Sequence, residues 1–150
     1  MRVEDTGHIL LFAVGGLKHA LPLSGVERVE LAAEVTPLPE APHVVIGALN
    51  VRGRILAVLS MRRRLHLPER GVTAEDWIII VQSSRRRIAL IVDEVMGVRS
   101  TKPGDFTNAD TLSEGLGCVV GALISEEGIV LIHDLELFLS EEDEKALEMV

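Results

Sequence analysis

The side chains able to do chemistry are few and scattered. Five histidines and one cysteine are spread over 150 residues. No histidine stands three or four positions from another, and Cys118 has no second cysteine with which to build a metal set or a disulfide. Cys118 lies in an apolar strand pattern, where the expected role is that of a small buried hydrophobe. No Gly-x-Ser-x-Gly elbow, phosphate-cradling loop or dinucleotide fingerprint is present. Asp93-Glu94 follow one apolar run and His133-Asp134 end another. Neighbours on a strand face opposite sides, so turn or edge placement is expected rather than an acid–base pair. Arg62-Arg63-Arg64 and Arg85-Arg86-Arg87 stand out in an acidic chain. Each reads as a solvated face or sheet edge, or as a cationic surface that meets an acidic protein partner. No catalysis, metal or cofactor is expected from this inventory.

Composition narrows the partners. A formal net charge of −8 disfavours nonspecific binding to nucleic acid or anionic membrane, and with only 3% aromatic residues there is little on which bases could stack. No apolar run approaches the length of a transmembrane span, and the N-terminus lacks a signal-peptide pattern, so a cytoplasmic protein is expected. With 47% hydrophobic residues the chain can bury one good core rather than two, and its halves must share apolar surface.

The elements that must position any site are strands. Apolar runs at residues 8–14, 19–23, 44–49, 55–59, 77–81, 88–92 and 129–133 are punctuated by glycine and serine turns, an all-β rhythm. Several are almost continuously apolar, as strands covered on both faces are. The pattern repeats. Val44-Val45-Ile46-Gly47-Ala48-Leu49 returns as Cys118-Val119-Val120-Gly121-Ala122-Leu123, a shift of 74 (121 − 47) that also carries Ile55 onto Ile129. Ala20-Leu21-Pro22-Leu23, with Val26 and Val29, returns as Ala89-Leu90-Ile91-Val92, with Val95 and Val98, at a shift of 69 (89 − 20). Two copies argue for paired subdomains rather than a solenoid. Residues 31–43, with Pro37, Pro39 and Pro42, form an extended connector, and the polar stretch 103–117 is a long loop in the equivalent place. Residues 60–67 suit one or two helical turns, with Arg62, Arg63 and Arg64 outward and Met61 and Leu65 inward. Ser140-Glu141-Glu142-Asp143 fits a capping box that opens a short C-terminal helix.

The segment Pro37-Leu38-Pro39-Glu40-Ala41-Pro42-His43-Val44-Val45-Ile46-Gly47-Ala48-Leu49-Asn50-Val51-Arg52-Gly53 resembles the CheW family of chemotaxis coupling proteins. The family's core is a proline-rich connector, a glycine, apolar residues and then Asn-x-Arg-Gly. Val92-Asp93-Glu94-Val95 with Val98, and Gly121-Ala122-Leu123 through Ile132-His133-Asp134-Leu135, resemble its later segments, so the likeness runs over residues 8–139. It implies an all-β fold of two SH3-like five-stranded barrels around a shared core, one domain over residues 8–139, with residues 140–150 a helical tail. It implies a non-catalytic adaptor that couples chemoreceptor tips to a CheA-type histidine kinase, monomeric when isolated. Carried over by motif, Arg52 and Gly53 sit on a tight turn at the groove between subdomains, and Gly47, Val26, Ala89 and Val95 fall at partner-facing positions.

Two departures stand out. The family's Val-x-Glu-Val is Val26-Glu27-Arg28-Val29 here, placing a cation where Arg52 would find an acid, and its Pro-Val-Ile-Asp-Leu-Arg is Ala57-Val58-Leu59-Ser60-Met61-Arg62. Like charges on Arg28 and Arg52 would repel or recruit an acidic group from a partner. The rival readings are a barrel that binds a metabolite between its halves and a hydrolase assembled from the two long loops.

Overall fold

The computed structural model describes residues 7–108, 118–125 and 128–148; most of the second long loop, Glu127 of the last turn and Met149 of the terminal helix lie outside them. Its strands are β1 (His8–Val14), β2 (Leu17–Pro22), β3 (Val26–Leu31), β4 (Val45–Val51), β5 (Arg54–Ser60), β6 (Trp77–Gln82), β7 (Arg87–Val92), β8 (Glu94–Ser100), β9 (Phe106–Asn108), β10 (Val119–Ser125) and β11 (Gly128–His133). Two α-helices, α1 (Met61–Arg64) and α2 (Glu141–Glu148), and three single 3-10 turns at Leu23–Gly25, Pro103–Asp105 and Leu135–Leu137 join them among the described residues. Among the described residues one sheet runs β8-β1-β2-β11-β10-β9 and the other β3-β6-β7-β5-β4.

One sheet therefore has six strands where five were expected. The extra strand, β9, lies inside the stretch read as loop and pairs Phe106 with Leu123 and Thr107 with Ala122. Its counterpart connector makes only the bridge Thr36↔Ala48, because Pro37 and Pro39 lack the N–H groups a longer ladder requires. Strands β3 (VERVEL) and β8 (EVMGVRS) were missed as apolar runs because they are half-exposed edge strands carrying charges.

The two sequence shifts reappear as strand register. Val45↔Leu59 and Gly47↔Val58, flanking a bulge, recur 74 positions on as Val119↔His133 and Gly121↔Ile132, with the same bulge. Val26↔Val81 and Arg28↔Ile80 recur 69 positions away as Val95↔Phe12 and Gly97↔Leu11. The parallel seam Ala57↔Ile88 between β5 and β7 becomes Leu131↔His19 between β11 and β2. Neither sheet is one sequence repeat, however. β3 leaves the β1–β2 hairpin to pair with β6, and β8 leaves the β6–β7 hairpin to pair with β1. Each sheet joins the first hairpin of one repeat to the later strands of the other, so neither repeat closes a sheet alone.

The shared core shows the same exchange. Phe12, Val14 and Leu21 of one sheet pack with Leu59, Val81, Ile88 and Leu90 of the other, joined by Met61, Cys118 and Phe138. Met61 and Leu65 point inward as expected.

The terminal helix opens on the expected capping box: the Asp143 amide donates to Ser140 Oγ at 3.0 Å and the Ser140 amide to Asp143 Oδ2 at 3.1 Å. It is docked rather than loose, burying Leu147 and Glu144. Arg86 Nε donates to Glu144 Oε2 at 2.7 Å, and Arg85 pairs with Glu141. The 85–87 run, read as a solvated or partner-binding face, is thus spent inside the molecule, with Arg87 held by Glu27. An eight-residue helix is marginal alone. Glu144→Ala is expected to cost about 1–2 kcal/mol, since it strands a half-buried guanidinium, and to speed tryptic cleavage after Lys145. Unchanged cleavage kinetics would show that Leu147 and the Arg85–Glu141 pair hold the helix without the Glu144 carboxylate.

Candidate protein-interaction site

Arg52 and Gly53 are the two central residues of the β4–β5 hairpin, closed by the pair Val51↔Arg54. Both have positive φ, 52° and 85°, as the twist of a two-residue hairpin requires. An arginine in that conformation is strained, and Asn50 offsets it by accepting the Gly53 amide on Oδ1 at 2.9 Å. The Asn-x-Arg-Gly spacing is therefore a turn device that holds the Arg52 side chain outward.

Arg52 does not sit between the two sheets, as the sequence suggested. It lines a cleft of about 190 Å³ with Glu27, Arg28, Val51, Arg54, Leu56, Ile80 and Arg87, all from the five-stranded sheet and its turns. Arg28 does come into the same cleft, but its Nε turns to Glu30 at 2.9 Å. Glu27 is taken by Arg87 at 2.8 Å. Among the described residues Arg52 and Arg54 have no carboxylate partner, so the cleft presents two uncompensated cations on an acidic protein.

The other carried-over residues part company with them. Ala89 is 0% exposed in the core of the five-stranded half and cannot meet a partner directly. Gly47 is buried in β4, where a Cβ would lie 2.8 Å from Val35 Cγ1 and 2.9 Å from the Thr36 carbonyl carbon. Its requirement is the close approach of the connector. Val26 and Val95, equivalent under the 69-residue shift, are half-buried at the ends of the edge strands and pack on the main core.

A larger cleft, about 750 Å³, also belongs to the five-stranded half and not to the space between halves expected for a metabolite. It is lined by residues 32–35 and 69–74 with Arg62, Arg63, Asp76 and Asp93. Its arginines, Asp76, Asp93 and Glu69 are already engaged with one another. Arg70 holds Asp76 at 2.6 Å and Asp93 at 2.9 Å, Arg62 holds Asp93 at 2.6 Å, and Arg63 pairs with Glu69. Arg62 and Arg63, read as outward, are folded back into this network. Asp93 does occupy a bend, and it ties the 62–76 region to the β1–β2 turn by accepting the Gly15 amide at 2.8 Å. Burial alone would raise the Asp76 pKa, but the Arg70 hydrogen bonds, the Thr73 amide and the charges of Arg70 and Arg62 outweigh it and hold that carboxyl below its ordinary range.

A polar cluster that residue spacing concealed lies in the shared core. His19 Nδ1 is 2.9 Å from His133 Nε2, and His133 Nδ1 is 3.3 Å from Cys118 Sγ. Phe12 stacks on His19 at 5.4 Å, and Phe138 lies against His133 at 5.8 Å. Burial pushes His19 down to about 4, with the Val14 backbone opposing, while burial, His19 and Arg64 push His133 down to about 3. Burial likewise raises the Cys118 thiol. The signal was present in the shifts: His19 falls on Ile88 and His133 on Leu59, both core positions.

A match to the CheW-like domain covers residues 8–143. The chain belongs to the CheW-like domain family. This CheW-like chain is 30% identical to chemotaxis protein CheW of Bacillus subtilis over 101 residues, 67% of the chain and 65% of that protein. It is 26% identical to CheW of Rhizobium meliloti over 141 residues, 92% of the chain and 91% of that protein. Chemotaxis protein CheA of Borreliella burgdorferi is 27% identical over 91% of the CheW-like chain, which spans 15% of CheA. The crystal structure of scaffolding protein TtCheW from Thermoanaerobacter tengcongensis superposes with a TM-score of 0.83 at 23% identity, covering 92% of this chain and 95% of that one, and shows the same fold.

Proposed function

We propose that this chain is a cytoplasmic, non-catalytic coupling adaptor that joins the cytoplasmic tips of chemoreceptors to a CheA-type histidine kinase in chemosensory signalling. The observation that carries this reading is the CheW-like match over residues 8–143, together with the retained Asn-x-Arg-Gly turn that holds Arg52 outward. CheW of other bacteria and a CheA are related to the chain over most of its length. No helix among the described residues is long and apolar enough to cross a membrane, so attachment to receptors is by protein contact in this reading.

Within it, Arg52 is the first binding residue, flanked by Gly53, Arg54 and Arg28, and the partner contributes the missing carboxylate. With Arg28 already on Glu30, the departure at that position leaves the cleft cationic and selects an acidic partner surface. Val26 and Val95 support the edge strands of the two sheets, whereas Gly47 and Ala89 act through the backbone and core.

Arg52→Asn separates binding from folding, because asparagine accepts positive φ more readily than arginine. Its thermal stability is expected to equal or exceed the wild type, while affinity for the partner falls by roughly 1–3 kcal/mol. Titration of the isolated adaptor against a kinase CheW-like domain and a receptor-tip fragment reads this directly. Wild-type affinity in the variant for both ligands would remove Arg52 from the interface. Binding of neither ligand by the wild type would remove the adaptor reading.

A further inference from the structure

The internal duplication supplies its own control for the histidine cluster. The two parallel seams, β5–β7 and β11–β2, are equivalent register for register. On the first, β5 contributes the core residue Leu59 and β7 the core residue Ile88, diagonal to each other across the ladder and 0% and 1% exposed. On the second they are His133 and His19, both 0% exposed. One half thus closes its seam with aliphatic side chains and the other with two imidazoles.

We propose that His19 and His133 form a proton-sensitive latch on the β2–β11 seam, closed while both rings are neutral and opened by protonation of either. In the neutral state the three groups form a chain, Cys118 to His133 to His19, with one hydrogen at each link. Because His133 uses a different nitrogen toward each neighbour, the groups do not converge on a metal ion. His19 Nε2 is buried without a hydrogen-bond partner. A second proton on His133 Nε2 or on His19 Nδ1 would set two N–H groups against each other at 2.9 Å.

Apart from the Val14 backbone, which favours a proton on His19 but is outweighed by burial, nothing around the pair welcomes that charge. β1 contributes Phe12, the segment before β10 contributes Cys118, and the turn after β11 contributes Phe138. The charged group that acts on His133 is Arg64 of α1, a cation fixed by its bond to the Leu137 carbonyl, and it opposes protonation. The Asp134 carboxylate, next in sequence, is turned to the Glu136 amide at 3.0 Å. A charged imidazole therefore gains by leaving the core, and leaving it parts the seam.

The sign follows from linkage. A histidine depressed in the folded state binds more protons when unfolded, so its contribution is full above about pH 6.5 and is lost as the pH falls toward the folded value near 4. Between pH 7.5 and 5.0 the folding equilibrium constant is expected to fall by about 30-fold for each histidine.

The test compares wild type with His19→Ile/His133→Leu, which copies the other seam. Urea unfolding at pH 7.5 and 5.0 should show a several-hundredfold loss in the wild type and little in the variant. Hydrogen exchange at pH 5.0 should release β2 and β11 amides ahead of β5 and β7. Equal acid loss in both proteins, or simultaneous release of both seams, would overturn the proposal. Should the double variant fail to fold, imidazole titration of the wild type by NMR decides: either ring titrating near pH 6.5 in the folded protein would overturn it.

Discussion

Gly47→Ala is expected to lower stability by about 2–4 kcal/mol, and to do so without a direct change at any binding surface. Gly47 opposes Val58 just past the β4 bulge, and the proline-rich connector crosses over it. The crossing is held by two backbone bonds, Thr36 N to the Ala48 carbonyl at 2.9 Å and Ala48 N to the Thr36 carbonyl at 2.7 Å. An alanine Cβ would lie 2.8 Å from Val35 Cγ1 and closer than that to the Thr36 oxygen, which is backbone and cannot swing aside. The connector must lift, breaking both bonds and baring Val35, which packs on the core of the five-stranded half. Chemical denaturation measures the loss, and partner titration under native conditions should give near wild-type affinity for the folded fraction. Wild-type stability with lost binding would return Gly47 to the interface where family resemblance placed it.

Asp76→Ala is expected to cost about 2–3 kcal/mol, because it strands the Thr73 amide and removes a buried charged acceptor, while the half-exposed Arg70 keeps water and Asp93 as partners. The Asp76 side chain is 3% exposed and accepts both terminal nitrogens of Arg70, at 3.0 and 2.6 Å, and the Thr73 amide at 2.8 Å. Its own carbonyl accepts the Ala32 amide at 2.9 Å, so one residue ties the 66–76 loop to the end of β3. The charge sets a pH signature. A carboxylate held below its ordinary range contributes fully above about pH 4 and loses that contribution as the pH falls through its folded value. The wild-type advantage over Asp76→Ala, followed by urea midpoint, should therefore persist at pH 5 and shrink by pH 3. A gap that does not change with pH would assign the effect to packing. This window lies below that of the histidine pair, so two acid transitions distinguish the two halves.

Much of the architecture was legible because β-structure repeats with a period of two and tolerates little slippage. The shifts of 74 and 69 residues placed Gly47 with Gly121 and Ala20 with Ala89, and both emerge as identical strand pairings. The Ser140 capping box and the inward Met61 and Leu65 are local patterns, fixed by neighbours in the chain. Edge strands escaped notice because β3 and β8 carry glutamates and arginines on exposed positions, which weakens the apolar signal without weakening the ladder.

The residues by themselves determined an all-β duplicated chain, the two shifts that relate its copies, the Asn-x-Arg-Gly turn and the CheW-like family. Only the tertiary structure decided where each arginine spends its charge. Arg85, Arg86 and Arg87 are consumed by Glu141, Glu144 and Glu27, between 56 and 60 positions away, whereas Arg52 is left open. It also decided the exchange of β3 and β8 between sheets and the meeting of His19 with His133, 114 positions apart. Periodicity reports which face of a strand a side chain occupies, but a charge or an imidazole is defined by what lies within a few ångströms, and distant segments supply those neighbours only once the sheets close.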